Sequence, residues 1–329
     1  MHIDLANWYK PTIERKKLRD LSKRKDWPGL LHFFIYFISL FLSGYFAYLT
    51  WGTWWTVFWF FIYGSIYAFS VSNWHETVHR TAFKTRWINE IFYHISSFMS
   101  DFEGFRWRWS HTFHHTNTLQ TEGDYDHEIQ VSRPTELIWF FLNYVPFTAL
   151  LYPHQLTKFE VLKHAFGFFS PVVNISAPDT EKKKILWNSR LYLFIWLFVI
   201  AISIYYESFL PILYIILPQY YGKPIWFAVN ITQHLGAAFD KKDHRTSTYT
   251  VKINPILSFL YWHMEYHLEH HMFPAVPSYN LHKLHRIIKD QLPKPFPSMF
   301  SFYKQILPIV IKQATNPNEY FKTNIPNSN

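Results

Sequence analysis

WPGLLHFFIYFISLFLSGYFAYLTWGTWWTVFWFFIYGSIYAFSVSNW, residues 27–74, contains no Asp, Glu, Lys or Arg. An uncharged apolar run of that length holds two helices of roughly 20 residues, each able to cross a bilayer. Thr50-Trp51-Gly52-Thr53 marks the turn between them. The run begins after too many charges to resemble a cleaved secretory signal, and it reads as an anchor. A second apolar block, residues 191–239, has Glu207 and Lys223 as its only charged residues. It reads as another hairpin, with Glu207-Ser208 at the tip, Pro211 where the returning helix begins and Pro218 kinking it. The fold class expected is therefore all-α integral membrane, with four transmembrane helices arranged as two hairpins.

Lys and Arg near the spans set the orientation. Lys10, Arg15, Lys16, Lys17, Arg19, Lys23, Arg24 and Lys25 precede the first span, and Arg80, Lys84 and Arg86 follow the first hairpin. Lys158, Lys163, Lys182, Lys183, Lys184 and Arg190 precede the second. Positive charge stays in the cytoplasm, which places all of these segments on that side. The uncharged stretch 137–157 resembles a fifth span by hydropathy alone. Asn143, Pro146 and Pro153 interrupt it, and positive charge on both flanks demands an even number of crossings, so it is assigned to the membrane interface.

Composition agrees with a membrane protein and removes several alternatives. Phe, Tyr and Trp make up 21% of the chain and concentrate in the apolar runs, as in lipid-facing and interfacial segments. The absence of cysteine excludes disulfides, cysteine-ligated zinc and a cysteine-ligated iron–sulfur centre within the chain. The net charge of +9 flanks the apolar runs without a nucleic-acid-binding motif, so a membrane surface is the partner it fits.

Of 19 histidines, nine fall in four short clusters. His75 and His79 form H-x-x-x-H, His111, His114 and His115 form H-x-x-H-H, and His267, His270 and His271 repeat it. His234 stands four residues after Asn230. Positions i, i+3 and i+4 share a helical face, so each triplet is expected to aim three imidazoles at one point. A single pair at i, i+4 is more often a surface or core pair than a ligand pair. Two H-x-x-H-H triplets are harder to explain that way, because crowding imidazoles costs desolvation unless a metal compensates. Nine imidazoles exceed the four ligands of one zinc and suit two transition metals, though spacing leaves Fe, Zn, Cu and Ni open. His263, His282 and His285 lack the triplet spacing and are left outside the site.

HETVH, HTFHH and HLEHHMFP, with NITQH between the last two, resemble the boxes of the membrane fatty acid desaturase and hydroxylase superfamily. The resemblance runs from Trp27 to about Pro293. It implies a pair of iron ions held by His75, His79, His111, His114, His115, His234, His267, His270 and His271, with Asn230 approaching one iron through water. It also implies a cytosolic helical cap that carries the boxes, and it divides the chain accordingly. Residues 1–26 form a basic cytosolic segment, 27–74 the first hairpin, 75–190 a cap with boxes one and two, 191–229 the second hairpin, 230–293 a cap with N-x-x-x-H and box three, and 294–329 a surface tail. The implied reaction is O2-dependent oxidation of unactivated C–H bonds in a fatty acyl lipid, with desaturation as the leading outcome. Glu76 in box one resembles the alkane hydroxylase branch, whereas Met272-Phe273-Pro274 resembles the acyl-lipid desaturases.

HETVH also matches H-E-x-x-H, in which Glu serves a zinc protease as general base, but that reading leaves both triplets and His234 unexplained. A metal or haem binder without turnover is the remaining alternative. Asp124, Asp126, Glu265 and Glu269 are candidates for orienting ligand imidazoles. Arg106, Arg108, Lys241, Lys242 and Arg245 suit an anionic headgroup or an acidic electron donor, and more simply a positive inner face. The chain has no H-P-G-G segment and no G-x-G-x-x-G, so electrons are expected from a separate ferredoxin, rubredoxin or cytochrome.

Overall fold

Helix α1 (Asp26–Leu49) buries Phe33, Tyr36, Leu40, Gly44 and Ala47, a stripe at three- and four-residue spacing, and turns its other faces outward. A computed structural model describes residues 8–123, 132–134, 136–151 and 157–326. Among them the architecture is helical, with the isolated bridges Thr250–Tyr266 and Val251–Phe296 and no strand. After a turn in which Gly52 takes φ +83° come α2 (Trp54–Ala68) and α3 (Ser70–Val78), nearly continuous across Phe69. Asp26–Leu49, Trp54–Val78 and α7 (Asp179–Tyr205) are each long and apolar enough to cross a membrane. Phe34, Phe41, Trp54, Trp55, Phe194 and Phe198 stand exposed along these helices. In water such a surface would aggregate; in hydrocarbon it is the outer face.

The expected fourth helix is broken. A π turn at Ile212–Ile216 is followed by Pro218–Tyr221 and then α8 (Lys223–Asn230), because Pro218 and Pro224 cannot donate and interrupt the ladder. Neighbouring helices supply the missing partners. The Tyr63 hydroxyl donates to the Tyr214 carbonyl at 2.9 Å and the Tyr67 hydroxyl to the Ile215 carbonyl at 3.4 Å, while the Tyr214 hydroxyl in return donates to the Gly44 carbonyl at 2.8 Å. Gly64 and Gly222 let the two segments touch, for a Cβ on Gly222 would lie 1.8 Å from the Gly64 carbonyl oxygen. Just after α7, Glu207 takes a left-handed conformation.

The cap consists of short helices: α4 (Arg86–Met99), α5 (Gly104–Thr116), α6 (Thr157–Ala165), α9 (His267–Met272) and α10 (Leu281–Ile288). The described part of 137–151 holds only the helix Leu137–Leu142 and a 3-10 turn at Thr148–Leu151, both too short to span. The surface tail expected after residue 293 is corrected by α11 (Met299–Gln313). Phe302, Ile306 and Val310 recur every four residues on its inner face and are fully buried. Tyr303 ties this helix to the Ala228 carbonyl of α8, and the Phe321 N–H donates to the Gly236 carbonyl.

Candidate metal centre

The nine clustered histidines meet in two adjoining groups. Ring nitrogens of His75, His79, His111, His115 and His270 lie within 4.8 Å of one another, as do those of His114, His234, His267 and His271. The inward nitrogens are closely paired: His75–His270, His79–His111 and His111–His115 at 3.1 Å, and His79–His270 at 3.2 Å. In the second group His234–His267 stand at 3.1 Å and His267–His271 at 3.0 Å. Nitrogens about 2.1 Å from one metal and at right angles to each other would be separated by about 3 Å. His115 and His271 stack across the boundary at 4.3 Å between ring centroids.

Each triplet serves both groups, which corrects the expectation of one point per triplet. On α5, His111 and His115 join the first group and His114 the second; on α9, His267 and His271 join the second and His270 the first. The helix gives the reason: i and i+4 nearly eclipse, whereas successive residues diverge by about 100°. The i+3 imidazole therefore crosses to the neighbouring group. His75 and His79 add an i, i+4 pair to the first group. His234 joins the second group from just beyond the 3-10 turn Ile231–Gln233 that follows Asn230. Asn230 ends α8, with the Tyr261 hydroxyl 3.5 Å from its Oδ1.

The donor set fits a metal. Burial and the neighbouring imidazoles hold His79, His115, His267 and His271 well below the usual histidine range. Neutral rings with lone pairs converging on a point are what transition metals bind. Outer nitrogens are anchored as ligand imidazoles require: His234 Nδ1 lies 2.7 Å from the Ser247 carbonyl and His271 Nδ1 lies 2.9 Å from the Thr118 hydroxyl. Neither partner has a sequence signature.

Glu265 and Glu269, two of the four acids proposed for that role, have other partners. Glu269 is fully buried but takes the Thr250 hydroxyl at 2.7 Å and His285, while Glu265 meets Ser258 and His263. Asp124 and Asp126 lie outside the described residues. His285, set aside on spacing, thus supports box three from behind.

Arg106, Arg108 and Arg245 are engaged internally, with Glu160 at 3.1 Å, Glu90 at 2.9 Å and Asp243 at 2.8 Å. Arg106 and Arg245 are buried, which disfavours a headgroup or donor site there. Glu76 turns from the imidazoles to accept the Ser278 N–H at 3.2 Å, so it is misplaced for a protease base.

His79 and His115 are partly exposed, whereas the four-imidazole group is wholly buried. A cleft of about 330 Å³ opens on the first group, lined by Val78, His79, His111, Thr112, His115, Thr116 and Pro274. On the inner side the Trp74 indole packs 5.1 Å from the His111 ring.

A family model described as fatty acid desaturase matches residues 50–303. No curated protein matches the chain.

Proposed function

This chain belongs to the fatty acid desaturase family, and on that premise we propose that it is an O2-dependent di-iron enzyme that oxidises unactivated C–H bonds of a fatty acyl lipid, chiefly by desaturation. The observation that carries this reading is the gathering of nine imidazoles, drawn from four separate boxes, into groups of five and four. Family membership implies an oxidoreductase with a lipid substrate in a membrane setting. Iron, O2 and the choice of reaction are our assignment.

In this reading His75, His79, His111, His115 and His270 hold one iron. His114, His234, His267 and His271 hold the other, with Asn230 facing it through water. Two bound irons supply the O2 chemistry strong enough to remove hydrogen from a methylene, which no side chain here does alone. The chain's own part is placement. Thr118 and the Ser247 carbonyl fix the rings of His271 and His234, Trp74 excludes water behind His111, and the cleft beside His79 and His115 admits the reactants. Desaturation takes two hydrogens from adjacent carbons and, with two electrons and two protons from outside, reduces O2 to two waters. Without cysteine, the chain depends on a separate ferredoxin, rubredoxin or cytochrome for those electrons. Hydroxylation of an alkyl or lipid substrate is the second reading, favoured by Glu76 in box one.

Four crossings, counting the broken segment from Pro211 to Asn230, belong to the same proposal, with both termini and the metal centre on the cytoplasmic side. The deciding experiment measures metal per purified chain, O2 consumption with a reduced donor, and the lipid products. Two irons with an alkene product support desaturation, and an alcohol product shifts the assignment to hydroxylation. One zinc without O2 uptake refutes both.

A further inference from the structure

A tenth histidine stands beside the four-imidazole group. His244 opens the short helix His244–Ser247, where the Asp243 side chain accepts the Arg245 N–H. Its ring lies 5.3 Å from that of His271, and His234 and His114 are close enough to act on its charge. Three of the four imidazoles thus border it. On its other side the Trp8 indole stacks at 4.3 Å with the planes 16° apart. Trp8 is held in turn through Tyr9, whose N–H donates to the Lys242 carbonyl at 3.3 Å and whose ring lies 3.2 Å from the Arg245 guanidinium.

Two facts separate His244 from an ordinary core histidine. It is only 5% exposed, and its Nδ1 is buried without a protein partner. A buried polar nitrogen of that kind is expected to be satisfied by an ordered water or an ion. His244 also stands outside the set whose ligand atoms lie within 4.8 Å of one another, so direct ligation does not account for it.

We propose that His244 is a non-ligating tenth imidazole of the centre, clamped by Trp8, whose Nδ1 hydrogen-bonds a water held at the four-imidazole group and fixes how that water sits. The proposal rests on the two-metal reading above, and it makes His244 a positioning residue. It also brings the N-terminal segment, otherwise remote in sequence, into the working of the site.

The test uses the full chain loaded with ferrous iron, comparing wild type with His244→Phe, His244→Gln, Trp8→Ala and Trp8→Phe. Iron per chain and melting temperature come first, then the Mössbauer spectrum and turnover. His244→Phe is expected to keep both irons, to alter the spectrum of one iron only, and to slow turnover by about 10- to 100-fold. His244→Gln, which retains a hydrogen-bonding group, recovers most of both signals. Trp8→Ala gives the same spectral change more weakly, and Trp8→Phe does not. An unchanged spectrum and rate in His244→Phe overturn the proposal, and so does loss of one iron, which would make His244 a ligand. If His244→Phe does not fold, an unchanged spectrum in Trp8→Ala overturns it independently. Wild type that binds no iron, or His114→Ala that keeps its full complement, removes the two-metal reading itself and this proposal with it.

Discussion

At the residue scale the centre is a set of buried and half-buried imidazoles whose value depends on which group each one joins. His270→Ala removes one of five from the first group, and His114→Ala removes one of four from the second. Both are expected to cut turnover by at least about 100-fold, since ligand loss exceeds the 10- to 100-fold typical of outer-sphere changes. Iron per chain, measured by elemental analysis, should fall further in His114→Ala, because three imidazoles remain there against four. His285 behaves differently. It touches the Glu269 carboxylate and no imidazole of the boxes, so His285→Ala is expected to leave iron content intact. The buried carboxylate loses a partner, and the melting curve should show a loss of about 1–3 kcal/mol. Sequence spacing leaves His285 outside the expected ligands and gives no sign of this supporting contact. The reason is that Glu269 and His285 lie on different helices and meet only when those pack.

At the element scale, α5 carries three of the nine imidazoles and depends on one cap. Glu103 accepts the backbone N–H groups of Arg106 at 2.7 Å and Phe105 at 3.2 Å, and it also receives the Asn188 amide from α7. Burial pushes this carboxyl up to about 7, against the opposing pull of those donors. A carboxyl raised in the folded state favours folding while protonated. Its contribution is complete below the ordinary value near 4.5 and is lost as pH rises through about 7. Glu103→Gln keeps an acceptor and removes the titration, so the drop in melting temperature between about pH 5 and pH 8 should shrink in that variant. An equal drop in both proteins refutes this role. The broken return segment makes a second prediction. With a Cβ on Gly222 only 1.8 Å from the Gly64 carbonyl oxygen, Gly222→Ala must push the segment off α2. A loss of at least about 1–3 kcal/mol is expected, read from melting in detergent.

At the scale of the whole molecule, the two metal groups can form only if boxes far apart in the chain reach one side of the bilayer. The chain has no cysteine, so single introduced cysteines report topology on a clean background. Thr53→Cys and Glu207→Cys, at the turns after α1 and α7, should react with an impermeant thiol reagent from one side. Lys84→Cys and Lys283→Cys should react from the other, and labelling of the last two from opposite sides excludes the proposed centre. The two long apolar helices of residues 26–78 and the clustering of the nine histidines were legible in the sequence, because hydrocarbon demands uncharged runs of fixed length and imidazoles at helical spacing share a face. The buried helix α11 was present as a four-residue repeat, though Pro and Lys around it suggest a tail. Pro218 announced a kink in the fourth segment, whereas which imidazole joins which group and the nearness of His244 to His271 were decided by tertiary structure alone. Local spacing fixes directions within one helix, whereas a metal position is an intersection of several helices, and only their packing determines where those directions cross.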